Sequence, residues 1–223
     1  MKKILLLLFI LTNLCLAQDA EYYIDKLNSE MAKVSDLQVN MWVRSRLPGM
    51  TVPDRNTKLY FKRPEKIHIA DKKSLFIPKE ALLLDLSYLV DSTCSVRLLK
   101  KKFKSEKPFV SIEILKPYED RKIKFITIID TVKWAFHQIG IDDSPQMNAK
   151  VEFVQMKVDD LVWLPKEIKV MMESKEFEKQ NVKNPRRRHA KKNNSNFGYA
   201  YIKFSKYKIN NNLSPYNPFQ RII

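Results

Sequence analysis

Residues 58–71 read KLYFKRPEKIHIAD. Leu59 and Phe61 alternate with Tyr60 and Lys62, the period-two pattern of a strand with one buried face. Arg63 takes the next position in that apolar register, and Pro64 follows, which has no N–H to give to a sheet ladder. Ile67 and Ile69 then resume the alternation. Read as one strand, the stretch has three solutions: a register shift at a bulge, an edge strand, or a cation turned inward. A cation facing a dry, filled core is costly. One at the mouth of a partly open cavity reaches backbone carbonyls or water.

The flanking sequence shows what that strand joins. In residues 20–34, AEYYIDKLNSEMAKV, the apolar side chains Tyr23, Ile24, Leu27, Met31 and Val34 recur at helical spacing with charges opposite. The strand LQVNMWVRSR follows, with Leu37, Val39, Met41 and Val43 on one face. Further on come SVRLLKKKFK, FVSIEIL, KIKFITIIDTVKWAFHQI, AKVEFVQMKV, VWLPKEIKVMMES and FGYAYIKFSKYKI, joined by short turns without crossover helices. Such strands pair antiparallel. One helix and about eight strands predict an α+β fold: an unclosed, half antiparallel β-barrel wrapped on the N-terminal amphipathic helix. Segment 75–92, LFIPKEALLLDLSYLVDS, is leucine-dense and reads as helical from Ala81 to Val90. It is either core between two strands or a short helical lid over an apolar cavity.

Residues 1–17 have a basic start, an apolar run and small residues at Cys15 and Ala17, the pattern of a secretory signal peptide cut after Ala17. The expected mature chain, residues 18–223, is one domain exported to the periplasm. Removing Lys2 and Lys3 lowers the formal charge from +16 to +14 and leaves Cys94 as the only cysteine, so no intramolecular disulfide forms. Export argues against nucleic acid as the partner of this charge. An anionic membrane surface or an acidic client fits better, and lysine that keeps a β-rich protein soluble is the plain alternative. A polar loop at about 180–196 concentrates the charge: residues 183–192 carry six basic side chains and no acid. Lys183, Arg186, Arg187, Arg188, Lys191 and Lys192 are candidates for membrane or client contact, or belong to a solvated loop.

Catalytic signals are weak. His68, His137 and His189 lack metal-ligand spacing, no G-x-S-x-G elbow occurs, and Asp142-Asp143 and Asp159-Asp160 read as turn carboxylates. No enzyme, metal or cofactor is expected. Apolar surface remains: Val132, Trp134 and Phe136 read as one face of a strand, with Val110, Ile112 and Ile114 on its neighbour. One helix cannot fill a concave sheet of this length, so segment 75–92 or a ligand occupies the rest. The candidate cavity residues are Val39, Met41, Val43, Leu59, Phe61, Arg63, Ile112, Ile114, Val132, Trp134 and Phe136.

The order of these parts resembles the bacterial outer-membrane lipoprotein-sorting family, the LolA-like periplasmic carriers. MAKVSDLQVNM, KLYFKRPEKIHI, FITIID, LVWLPKEIKV and AYIKFSKYKIN carry the likeness over most of residues 20–213. Its most specific element is the arginine-proline step at Leu59–Pro64, followed by the terminal pattern at Phe204–Asn210 and the LPKEI strand. The sequence departs from the family pattern after the arginine-proline strand, where Asp71–Pro78 has no glycine. The resemblance implies a helix-lidded open barrel that encloses lipoprotein acyl chains, acts as a monomer without catalysis, and delivers its load to an outer-membrane acceptor. In such a carrier Arg63 bonds toward the lid and controls release. A lipid-sensing or envelope-protein-binding regulatory module on the same fold is the alternative.

Overall fold

A computed structural model describes residues 19–47, 52–64, 66–70, 82, 86–87, 89–99, 108–143, 147–174 and 197–211, the side chains of Lys66 and Met147 excepted. The helix α1 (Ala20–Met31) begins at Asp19, whose carboxylate accepts from Tyr22 N at 3.0 Å and so caps one of the free amides of the first turn. Its buried stripe is Ala20, Tyr23, Ile24, Leu27 and Met31.

Among the described residues ten strands follow: β1 (Asp36–Arg46), β2 (Arg55–Lys62), β3 (Lys66–Ile69), β4 (Ser95–Leu98), β5 (Phe109–Tyr118), β6 (Arg121–Asp130), β7 (Ala135–Asp143), β8 (Met147–Val158), β9 (Val162–Ser174) and β10 (Phe197–Ile209). They form one antiparallel sheet in the order β3-β2-β1-β10-β9-β8-β7-β6-β5-β4. The sheet does not close on itself, and the fold is the α+β half-barrel read from the sequence. Bulges between Gln38 and Asn40, Ile128 and Ile129, and Val154 and Gln155 bend its strands.

Two long runs read as single strands are hairpins instead, which raises the count from about eight to ten. In the first, Phe61 pairs with Ile67 and Lys62 with Lys66, so Arg63 and Pro64 form the β2–β3 turn, with a cis bond between them. Pro64 therefore ends the β2 ladder at a turn, where no sheet donor is needed. In the second, the run from Lys122 to Ile139 folds back at Thr131–Trp134. Asp130 Oδ1 accepts from Val132 N (3.0 Å) and Lys133 N (3.1 Å), and Trp134 takes φ 48°. An aspartate that satisfies the next amides makes a turn cheaper than a continued strand. The pair Asp142-Asp143, read as a turn, instead ends β7. Lys124, opposite Asp142, holds it at 3.0 Å, and Arg121 holds Asp143 at 3.0 Å. Asp159 and Asp160 do form a turn, both at positive φ.

The strands β3 and β4 are consecutive in the chain yet lie at opposite edges of the sheet. The chain between them must cross from one edge to the other. Of that connection Leu82, Leu86 and Leu89 are described as buried, and Leu89 N and Val90 N both donate to the Leu86 carbonyl, at 3.0 and 2.9 Å. Most of segment 75–92, including most of its expected helix, lies outside the described residues.

Candidate functional site

Alternation places one face of every strand inward. The pairs Leu59–Val39, Met41–Phe204, Val43–Ile202, Ile202–Ile168 and Ile168–Phe153 run across the sheet without an intervening charge. On the other half, Ile114 faces Phe125, and Ile129 faces Phe136. Val39, Met41, Val43, Leu59, Phe61, Ile112, Ile114 and Phe136 are thus all buried on the inner face. Two covers lie against that face. One is α1; the other, among the described residues, is formed by Leu82, Leu86 and Leu89, joined to α1 where Leu86 N donates to Asn28 Oδ1 at 3.0 Å. Between cover and wall remains a cavity of about 10 Å³, lined by Val39, Leu59, Leu82, Ile168, Phe204 and Tyr207 among others. Burial pushes the Tyr207 phenol far above its usual range, and its hydroxyl donates to the Pro165 carbonyl at 2.6 Å.

The two ends of α1 are held by residues from the missed hairpin turns. At its start, Tyr22 and Tyr23 each meet the Trp134 ring at 6.3 Å between centroids. Trp134 is half-buried there, whereas Val132 projects to solvent with 71% of its surface exposed. These two candidates therefore do not share a strand face with Phe136. Beyond the end of α1, Arg63 N donates to the Ser35 carbonyl (2.9 Å) and Arg63 Nε to the Val34 carbonyl (3.0 Å). The guanidinium also lies over the Phe61 ring at 5.7 Å.

Asn210, which sequence reasoning did not single out as a site residue, completes this junction. Its side chain donates to the Lys33 carbonyl (2.8 Å) and accepts from Ser35 N (2.8 Å) and Ser35 Oγ (3.0 Å). Asn28 was missed too: a polar side chain on a helix gives no sign of a partner 58 positions away. Lys183, Arg186, Arg187, Arg188, Lys191 and Lys192 lie outside the described residues.

Chemistry-bearing groups are dispersed. His68 faces Tyr60 on the outer side, His137 stacks on Phe109 at 4.5 Å, and Cys94 Sγ lies 3.3 Å from the Leu89 carbonyl. Among the described residues no three His, Cys, Asp or Glu side chains are grouped to hold a metal, and no helix is long and apolar enough to cross a membrane.

A LolA superfamily protein from Nitrosomonas europaea superposes with TM-score 0.55 at 11% identity, covering 86% of this chain and 94% of its own. The fold is LolA-like. A DUF1329 family protein from Desulfovibrio piger shares it, with TM-score 0.55, 12% identity and coverage of 87% and 94%. The sequence matches no protein-family model and no curated protein. At this identity the likeness lies in the LolA-like architecture, in which α1 and the edge-to-edge connection cover an apolar inner wall.

Proposed function

We propose that the protein is a periplasmic carrier that binds the acyl chains of lipoproteins, or of another envelope lipid, and ferries them towards the outer membrane without catalysis. The observation that carries this reading is a largely apolar inner wall that is covered, among the described residues, by α1 and by Leu82, Leu86 and Leu89 of a connection tethered to it. The LolA-like fold supports it.

The cavity of about 10 Å³ is no larger than one water molecule requires. An acyl chain therefore enters as the Leu82–Leu89 stretch yields its place, exchanging one apolar contact for another. Ten buried methylenes would contribute about 8 kcal/mol, enough for tight binding without chemistry. Arg63 sits at the end of α1 that such a movement would load, and is the residue proposed to govern release. The basic residues from Lys183 to Lys192 provide contact with an anionic membrane surface, an acidic client or an outer-membrane acceptor. The protein acts as a monomer, after cleavage at Ala17, and needs no cofactor.

The test is native mass spectrometry and lipid extraction of the protein purified from the periplasm that produces it. Co-purifying acyl lipid or acylated protein supports the carrier. A lipid-free protein in stable complex with an envelope protein overturns it in favour of a binding module.

A further inference from the structure

One row of paired residues crosses six strands of the inner wall: Thr127, Ile139, Val151, Val170, Ala200 and Ser45, each the direct partner of the next. Every one is at least 98% buried. The four central members, Ile139, Val151, Val170 and Ala200, are apolar, so the row is an uncharged strip of covered wall with a hydroxyl at each end. Among the described residues, neither Thr127 Oγ1 nor Ser45 Oγ has a hydrogen-bond partner. A buried hydroxyl without a partner is costly, by about 1–3 kcal/mol. Valine or alanine would fill the same positions without that cost, so packing alone does not account for either hydroxyl.

We infer that Thr127 and Ser45 are polar anchors for the ester or amide carbonyl of an acyl chain lying along this row. A carbonyl oxygen accepts one hydrogen bond from a hydroxyl and needs no charge partner, which suits a site with no ionised group in the row. Methylenes lying there would take the place of the side chains that now cover the row, and a carbonyl at either end would give its hydroxyl a partner. This deepens the carrier reading and rests on it. It narrows the cargo from apolar chains in general to chains that carry a carbonyl.

The test compares dipalmitoyl phosphatidylglycerol with its dihexadecyl ether analogue, which has the same headgroup and chains but no ester carbonyls. Binding of each to the full mature chain is measured for the wild type, Thr127→Val, Thr127→Ser and Ser45→Ala. The expected result is about fivefold weaker binding of the ester lipid to Thr127→Val and to Ser45→Ala, from loss of one hydrogen bond each. Ether-lipid binding should be unchanged, and Thr127→Ser should restore the ester preference. Thr127→Val should also unfold no more readily than the wild type, because its hydroxyl makes no bond among the described residues. Equal effects on the two lipids, or a less stable Thr127→Val, overturn the anchor and leave the carrier standing. Failure of the wild type to bind either lipid overturns both.

Discussion

Arg63 and Asn210 both hold the tripeptide Lys33–Ser35 and meet at Ser35. The Arg63 side chain donates to the Val34 carbonyl and its backbone N–H to the Ser35 carbonyl, while the Asn210 side chain donates to the Lys33 carbonyl and accepts from the amide and hydroxyl of Ser35. The tripeptide Lys33–Ser35 is where α1 passes into β1, so these two side chains fix the angle at which the helix crosses the wall. A hydrogen bond from a charged donor contributes roughly 1.5–3 kcal/mol. Arg63→Leu should therefore fold and lose roughly 1–2 kcal/mol in urea unfolding. Asn210→Ala should lose a similar amount, and the double variant less than the sum, because both act on one junction. Strict additivity would mean that the two residues hold separate structures.

The Asn28–Leu86 bond ties the covering connection to the helix. Asn28→Ala removes the acceptor and leaves Leu86 N unpaired in a part-buried place, at about 1–3 kcal/mol. Amide exchange should rise at Leu86, Leu89 and Val90 with little change in β7–β9. Uniform acceleration across the sheet would show that the cover is part of the global fold and does not open on its own.

Leu86 belongs to the same cover and is fully buried. Leu86→Ala should cost about 2–5 kcal/mol if the surroundings keep their shape. Because the gap it leaves faces the inner wall, acyl-lipid affinity should not fall in proportion to stability. A parallel loss of both would place Leu86 in the structural core alone.

Asp91 anchors the exit of the connection into β4. The Thr93 hydroxyl and amide, with Lys116, hold its carboxyl well below the usual carboxylate range. A depressed folded-state value means that its contribution is complete above the unfolded value near pH 4 and is lost as pH falls from there toward the folded value. Asp91→Asn should flatten the acid limb of a stability–pH curve and leave the neutral region with a similar slope. An unchanged acid limb would contradict the assignment.

The sequence showed the fold class because period-two alternation survives in each of the long strands and α1 keeps a clean apolar stripe. It hid the two hairpins for one reason. In KLYFKRPEKIHI and FITIIDTVKWAF the apolar alternation resumes in the same register after the turn, and neither turn contains glycine. The turns are made by Arg63-Pro64 and by the Asp130 carboxylate, both weaker signals than an Asn-Gly pair. Missing them put Val132 and Trp134 on an inner face, when one lies in solvent and the other braces the start of α1. Arg63 stood out from sequence because a cation in an apolar register is anomalous. Asn210 and Asn28 did not, since an asparagine's partner across the fold leaves no local pattern. The same holds for Thr127 and Ser45, which alternate as any strand residue does.

The carrier account stands on where an acyl chain lies, and photocrosslinking reads that directly. A phospholipid with a diazirine in its acyl chain would be bound to the purified mature chain, irradiated, and the adducts mapped by peptide mass spectrometry. Adducts are expected on inner-wall residues such as Val39, Leu59, Phe61 and Phe204, and on Leu82 or Leu86 of the cover. Adducts confined to exposed outer-face residues such as Met171, Phe197 and Tyr199, or none at all, would contradict it.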